Sequence, residues 1–288
     1  MKEVLSFKNG RAPRTVFRIF NAAFMFIVLL TMLVPLLKVV SDSFDRTTVY
    51  GINLWPKNPS YEAYKSIFTN PNLSKPLLIS IITTVCGTAI GLTITTLAAY
   101  VLCQRKLIGR NFFAKFIFIT MIFNGGLVPT FLVLKGLHMT NTLWAILLPA
   151  SVNVFNIVLM RSFFEQIPIS LFESAEIEGA TPPVVFTKIV LPLSSAALAS
   201  IGLFFAVEFW NMFFPYVIYI SDTGLYNFQI KLRELILSEQ NINDPAIMGF
   251  GNMVKNAGVV VAMLPFLFIY PFAQRYFIAG VTMGSVKE

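Results

Sequence analysis

The sequence predicts an all-α integral membrane protein of six transmembrane helices, with both termini on the cytoplasmic side. Three observations predict it. Of the 288 residues, 56% are hydrophobic and 12% are charged, about half the charged share of a soluble domain. The apolar residues come in runs near the ~20 residues that a helix needs to cross a bilayer. Lysine and arginine gather on alternate loops, the bias that sets orientation in a membrane. The alternating pattern of a β-barrel is absent, and lipid leaves helices as the other way to satisfy the backbone.

The first run, Phe17–Val40, is charged only at Arg18 and Lys38, near its ends. It follows a basic arm with Lys2, Lys8, Arg11 and Arg14. A secretory leader would have a shorter apolar core and a small-residue cleavage site. The second run, Leu77–Leu102, carries no charge. The third is Phe116–Leu134 and the fourth Thr142–Met160. The fifth runs from Ile189 to Ile220 and the sixth is Asn256–Phe277. Arg105, Lys106, Arg110 and Lys115 follow the second run, Arg161 and Lys188 follow the fourth, and Arg275 and Lys287 end the chain. If every run crosses, these all fall on one side with the basic arm. The expected division is an arm over 1–16, a membrane domain over 17–277 and a tail over 278–288. The two long outer segments are expected to hold short helices, Tyr61–Phe68 and Phe228–Ser238.

Several function classes lose support. The net charge of +8 reports orientation, because no basic stripe on a soluble face points to nucleic acid. Cys86 and Cys103 lie in or beside an apolar run and read as core thiols. His138 has no Cys or His at ligand spacing, and no Ser-His-Asp pattern exists, so no metal site and no catalytic set is expected. Nothing matches the phosphate loop G-x-x-x-x-G-K-[ST], so this chain is not expected to hydrolyse ATP.

Polar residues inside a membrane are costly and face a bundle interior or a water-filled path. Asn124-Gly125-Gly126 with Pro129 interrupts the third run. Asn153 and Asn156, three apart, are expected on one helix face of the fourth. Glu208, Trp210 and Asn211 lie in the fifth. Asn124, Asn153, Asn156, Glu208, Trp210 and Asn211 are the candidates for a substrate pathway. Amides suit hydroxyl-rich ligands, since each offers a donor and an acceptor. Packing between helices is the competing reading.

The stretch Ser170–Pro192 is polar and acid-bearing between apolar runs. Ser170 and Glu173 have capping-box spacing. Gly179 suits a helix end with positive φ, Thr181 an N-cap, and Pro182 the first helical position. Two short helices with a sharp turn at Gly179 are expected, the first over Leu171–Glu178.

Glu173-Ser174-Ala175, Gly179-Ala180, Phe186, Ile189 and Leu191-Pro192 resemble the EAA loop of ABC importer membrane subunits. Ser174 replaces the middle alanine, and Glu178 stands where an aspartate is usual. The tail from Gln274-Arg275-Tyr276-Phe277 to Gly284, and the stretch Phe123 to Thr130, resemble carbohydrate-uptake permeases of that family. The resemblance implies a type I ABC importer permease in the bacterial cell membrane that moves oligosaccharides by alternating access. It makes the 170–192 loop the coupling helix, with Glu173, Ser174, Ala175, Glu178, Gly179, Ile189 and Pro192 facing the ATPase. It implies a second homologous permease, two ATPase subunits that bind ATP and magnesium, and an extracellular solute-binding protein. No cofactor is expected in this chain. An importer for a non-sugar solute is the alternative, followed by a secondary transporter. A membrane enzyme lacks a catalytic set, and an anchor or receptor leaves the loop unexplained.

Overall fold

The computed structural model describes residues 11–47, 51, 53–104, 106–123, 125–237 and 251–285. Among these residues the regular elements are helical. The chain divides into two compact units. One comprises Met1–Ile67 with Asn241–Val260, the other Phe68–Gln240 with Val261–Glu288.

In the first unit, helix α1 covers Arg11–Ser43 and α2 covers Glu62–Thr69. In the apolar stretch of α1, Val16–Ser43, no residue before Ser41 is buried, as in a lipid-facing helix, and Ser41 and Ser43 at its end are buried. Beyond it, the chain is tied back by Asp45. Its buried carboxylate accepts from the Thr47 amide (3.0 Å) and hydroxyl (2.7 Å), and from the amides of Lys57 (2.7 Å) and Asn58 (3.3 Å). Burial alone would raise the pKa of Asp45. The donors from Lys57, Thr47 and Asn58 outweigh it and hold the carboxyl at about 2. Two backbone bonds, Arg46 N–H to Asn58 O and Ser60 N–H to Phe44 O, complete the return. Tyr64 of α2 shares a 2.7 Å hydrogen bond with Ser43, and Phe44 packs on the rings of Tyr61 and Tyr64.

The second unit is built on α3, Pro71–Cys103. Asn70 caps it by accepting from the Asn72 amide, and Pro71 starts it where no N–H is needed. It is followed by α4 (Arg110–Ile122), α5 (Leu127–Gly136), α6 (Trp144–Ser151) and α7 (Val154–Phe164). Next come α8 (Ile169–Ile177), α9 (Pro182–Val185), a π-turn over Phe186–Val190 and α10 (Leu191–Leu193). Then follow α11 (Ser195–Trp210), α12 (Phe214–Tyr219), a 3-10 turn at Thr223–Leu225 and α13 (Phe228–Leu237). Helix α14, Gly251–Ser285, closes the chain. Helix α3 packs mainly on α11, α7 and α6. Glycine makes the first contact possible: a Cβ at Gly87 would lie 2.4 Å from the Phe209 ring, and one at Gly91 2.8 Å from Phe205. Toward its start, α3 gives two hydroxyls to the buried interior. Ser80 accepts the Phe228 amide at 2.9 Å, and Thr83 takes the Tyr216 hydroxyl at 3.0 Å.

The structure corrects several boundaries. Among the described residues, three unbroken helices are long and apolar enough to cross a membrane: Val16–Ser43, Pro71–Cys103 and Gly251–Pro271. The third, fourth and fifth expected runs are bent pairs instead. The third is α4 and α5, separated at the Gly125-Gly126 break. The fourth bends by 44° between α6 and α7. The fifth bends by 81° at Ser194 and stops at Trp210, because Pro215 must begin a new helix rather than continue the old one. Cys86 is exposed, not a core thiol. His138 has a local role: at φ 55 it closes α5, with its amide on Lys135 O and the Met139 amide on Leu134 O.

Candidate functional site

The 168–194 loop forms from its own sequence. Helix α8 starts two residues earlier than expected, after Pro168, and Ser170 lies inside it. The expected capping box between Ser170 and Glu173 is absent, and no side chain caps this start. Pro168 sets the entry, since its ring fixes φ and it has no N–H to leave unpaired at the helix start, and burial of Ala175 fixes which face turns inward. The end of α8 follows expectation. Gly179 has φ 75, its amide donates to Glu176 O at 3.0 Å, and the Ala180 amide donates to Ala175 O at 2.9 Å. These are the two bonds of a Schellman turn. Thr181 takes the extended N-cap conformation and Pro182 opens α9, but the threonine hydroxyl makes no cap bond.

The π-turn at Phe186–Val190 sits within the Phe186, Ile189 and Leu191-Pro192 pattern. Its closing bond runs from Leu191 N–H to Phe186 O. Pro192 supplies a reason. Its ring would crowd the carbonyl four residues back, at Lys188, and a widened turn relieves that.

The loop is presented and anchored at once. Glu173, Ser174, Glu178, Gly179 and Pro192 are exposed, Ile189 is half-buried and Ala175 is buried. Tyr100, near the end of α3, donates its hydroxyl to Pro182 O at 2.9 Å and packs its ring 4.9 Å from Phe186. Lys106 reaches Glu176 at 2.7 Å. Arg110 (2.8 Å) and Arg161 (2.9 Å) share Glu165, and Arg110 also bonds Leu102 O. Tyr100, Lys106, Arg110, Glu165 and Glu176 line an open cavity of about 580 Å³ together with Phe172 and Glu173. Tyr100 and Lys106 escape a reading of the loop by itself because they come from a distant segment, and Glu165, just before the loop, and Glu176, within it, because each is a single acid whose partners lie elsewhere in the chain. Tyr100 did carry a signal: a lone phenol at the end of an uncharged run needs a polar partner.

The intramembrane candidates separate into two groups. Asn153 and Asn156 do not share a helix face as expected. Asn153 is the N-cap of α7, and its side chain accepts the Asn156 amide at 3.2 Å. The chain breaks there, and a proline four residues earlier with an Asn cap was the signal. The Asn153 side chain also meets the carboxyl of Glu208, which is exposed on α11. Asn156 is 2% exposed, and its side-chain nitrogen has no hydrogen-bond partner. Trp210 is buried, with its indole N–H donated to Ala262 O at 3.0 Å. Asn211 donates its amide to Val207 O of its own helix. Asn124 lies outside the described residues, as do the side chains of the tail motif apart from Gln274. Among the described residues, no group of three or more His, Cys, Asp or Glu is placed to hold a metal ion.

No protein-family profile matches the sequence. The chain is 38% identical to the polygalacturonan/rhamnogalacturonan transport system permease protein YtcP of Bacillus subtilis (strain 168), over 92% of this chain and 96% of that protein. It is 37% identical to Protein LplC of the same organism, over 100% of both chains. Among solved structures it is similar to a bacterial ABC transporter involved in the import of the acidic polysaccharide alginate. The TM-score is 0.86 at 29% identity, covering 93% of this chain and 99% of that one.

Proposed function

Because the chain belongs to the ABC importer permeases, multi-pass membrane subunits that transport solute and are not enzymes, we propose that its cargo is an oligosaccharide or another complex sugar. The relatives named for polygalacturonan, rhamnogalacturonan and alginate support that class. Its mechanism is alternating access, driven by ATP bound with magnesium on two partner ATPase subunits. A second, homologous permease completes the pathway, and a solute-binding protein delivers the sugar. The chain itself takes no cofactor. Six crossings place both termini, and the 170–192 loop, in the cytoplasm, with the arm over 1–16 and the tail over 278–288.

One observation carries this reading. The exposed face of α8 ends in a rigid turn at Gly179, and the strand of chain behind it is tied to α3 by the Tyr100–Pro182 bond. A partner that grips Glu173, Ser174, Glu178 and Gly179 therefore moves a membrane helix. Coupling needs the grip to differ in free energy between the two states. Within the bundle, Asn153 with Glu208, and Asn156 with its unpartnered side-chain nitrogen, offer hydroxyl-binding groups. Trp210 and Asn211 follow Glu208 in the chain, with the indole N–H of Trp210 and the side-chain nitrogen of Asn211 already engaged.

The test is uptake of labelled oligosaccharide into vesicles that hold the assembled importer. Asn156→Leu should lower uptake while the complex still assembles, since one hydrogen bond in a dry site is worth about 1–3 kcal/mol. Uptake that persists without ATP, or sugar that never stimulates ATP hydrolysis, would overturn the proposal.

A further inference from the structure

We infer that the loop after the first apolar helix is a membrane-surface anchor, with Trp55 seated among lipid headgroups beside the end of α1. This goes beyond the transport reading and does not depend on which solute is carried. Exposure is the first argument. Trp55 is 84% exposed, next to the exposed Leu54, and Tyr61 is 76% exposed. These are large aromatic surfaces on either side of Lys57 and Asn58, whose amides are held by Asp45.

Position is the second argument. The apolar stretch of α1 ends at Ser43. Two residues later, Asp45 accepts the Lys57 amide at 2.7 Å, which brings the loop back to that end of the helix. Trp55 lies two residues before Lys57, and two residues span at most about 7 Å. Tyr61 packs on Phe44, the residue after Ser43, with ring centroids 5.7 Å apart. Both aromatics are thus held at the level where α1 leaves the hydrocarbon. That layer is where tryptophan and tyrosine settle, with the ring against acyl chains and the polar edge in the headgroups. Charge is the third argument: the exposed Lys57 stands between Trp55 and Tyr61 in the chain, and a cation suits lipid phosphates, whereas Arg46 is held by Glu62 at 2.9 Å. The bonds that hold Lys57, Asn58 and Ser60 beside the end of α1 make the anchor fix the depth of α1 rather than merely attract lipid.

The experiment reconstitutes the assembled importer in bilayers whose lipids carry bromine either near the headgroup or deep in the chain. Fluorescence of the wild type minus that of Trp55→Phe isolates Trp55 from Trp144, Trp210 and the partner subunits. The difference emission should lie to the blue of tryptophan in water, and headgroup-proximal bromine should quench it more than deep bromine. Emission like that in water, quenched by neither lipid, overturns the anchor. Emission that no bromine quenches, but that shifts when the solute-binding protein is added, also overturns it and assigns the surface to a protein. Circular dichroism and ATPase activity of Trp55→Phe establish that the variant is folded and assembled.

Discussion

Helices α5 and α8 end in the same turn on different residues. In α5 the residue with positive φ is His138, and in α8 it is Gly179. The two closing bonds match in each: His138 to Lys135 and Met139 to Leu134, against Gly179 to Glu176 and Ala180 to Ala175. The turn itself therefore does not demand glycine. Histidine is among the residues that visit this region more often than most. Nor does the surrounding chain exclude a side chain at Gly179, since nothing lies within 4 Å of the place a Cβ would take. The difference is the location of the two turns. Gly179 stands at the tip of the loop that a partner is proposed to grip, and an open tip keeps that surface low.

The largest effect should come from Gly179→Val. A β-branched residue at φ 75 is strained, and its side chain also projects from the loop. Membrane insertion should be normal, while solute-stimulated ATP hydrolysis falls at least tenfold and the ATPase no longer co-purifies. Gly179→Asn separates the two causes, because asparagine tolerates the turn. If strain dominates, Asn should retain most of the coupling. A loss as deep as with valine would show that the bare surface matters and the backbone does not.

Glu173→Gln should have an intermediate effect. The structure gives Glu173 no capping duty, so the substitution reports only on what its exposed carboxylate meets outside the chain. A charge-assisted bond is roughly twice a neutral one, so coupling should drop several-fold with thermal stability unchanged. Unaltered coupling at low and high salt would remove Glu173 from the docking surface.

The smallest effect should come from His138→Gly. Relief of positive φ is offset by the greater freedom of glycine in the unfolded chain, and each is worth about 1 kcal/mol or less. Thermal unfolding should shift by no more than a few degrees, with coupling intact. A clear loss of coupling would mean that the α5 turn is also a contact surface.

The loop around Gly179 was legible in the sequence because its signals are local. Gly179 and Pro182 act on their own backbone where expected, while Thr181 takes the N-cap position without the cap bond expected of it. The capping box failed because Ser170 and Glu173 compete with Pro168 for the helix start, and a proline fixes the backbone more firmly than a hydroxyl. Inside the membrane, hydropathy alone did not show the breaks at Asn153 and Ser194, and at Asn153 the signal was Pro149 with the Asn cap. Apolar composition there is uniform, so hydropathy gives the length of a run without its bends. The Gly125-Gly126 break was visible, since paired glycines weaken a helix whatever surrounds them. The Tyr100–Pro182 bond joins residues 82 positions apart, a separation that no local pattern encodes.

That bond has a mechanical consequence. Helix α3 runs without a break from Thr83, held by Tyr216, to Tyr100, which holds Pro182. Seventeen residues at 1.5 Å each make a strut of about 25 Å. Its two ends are hydrogen-bonded to different parts of the chain, and no hinge lies between them. Close-packed interiors compress little. A push delivered at Pro182 therefore arrives at Tyr216 as displacement rather than dissipating as bending, and α11, seated on Gly87 and Gly91, rides along the same rod.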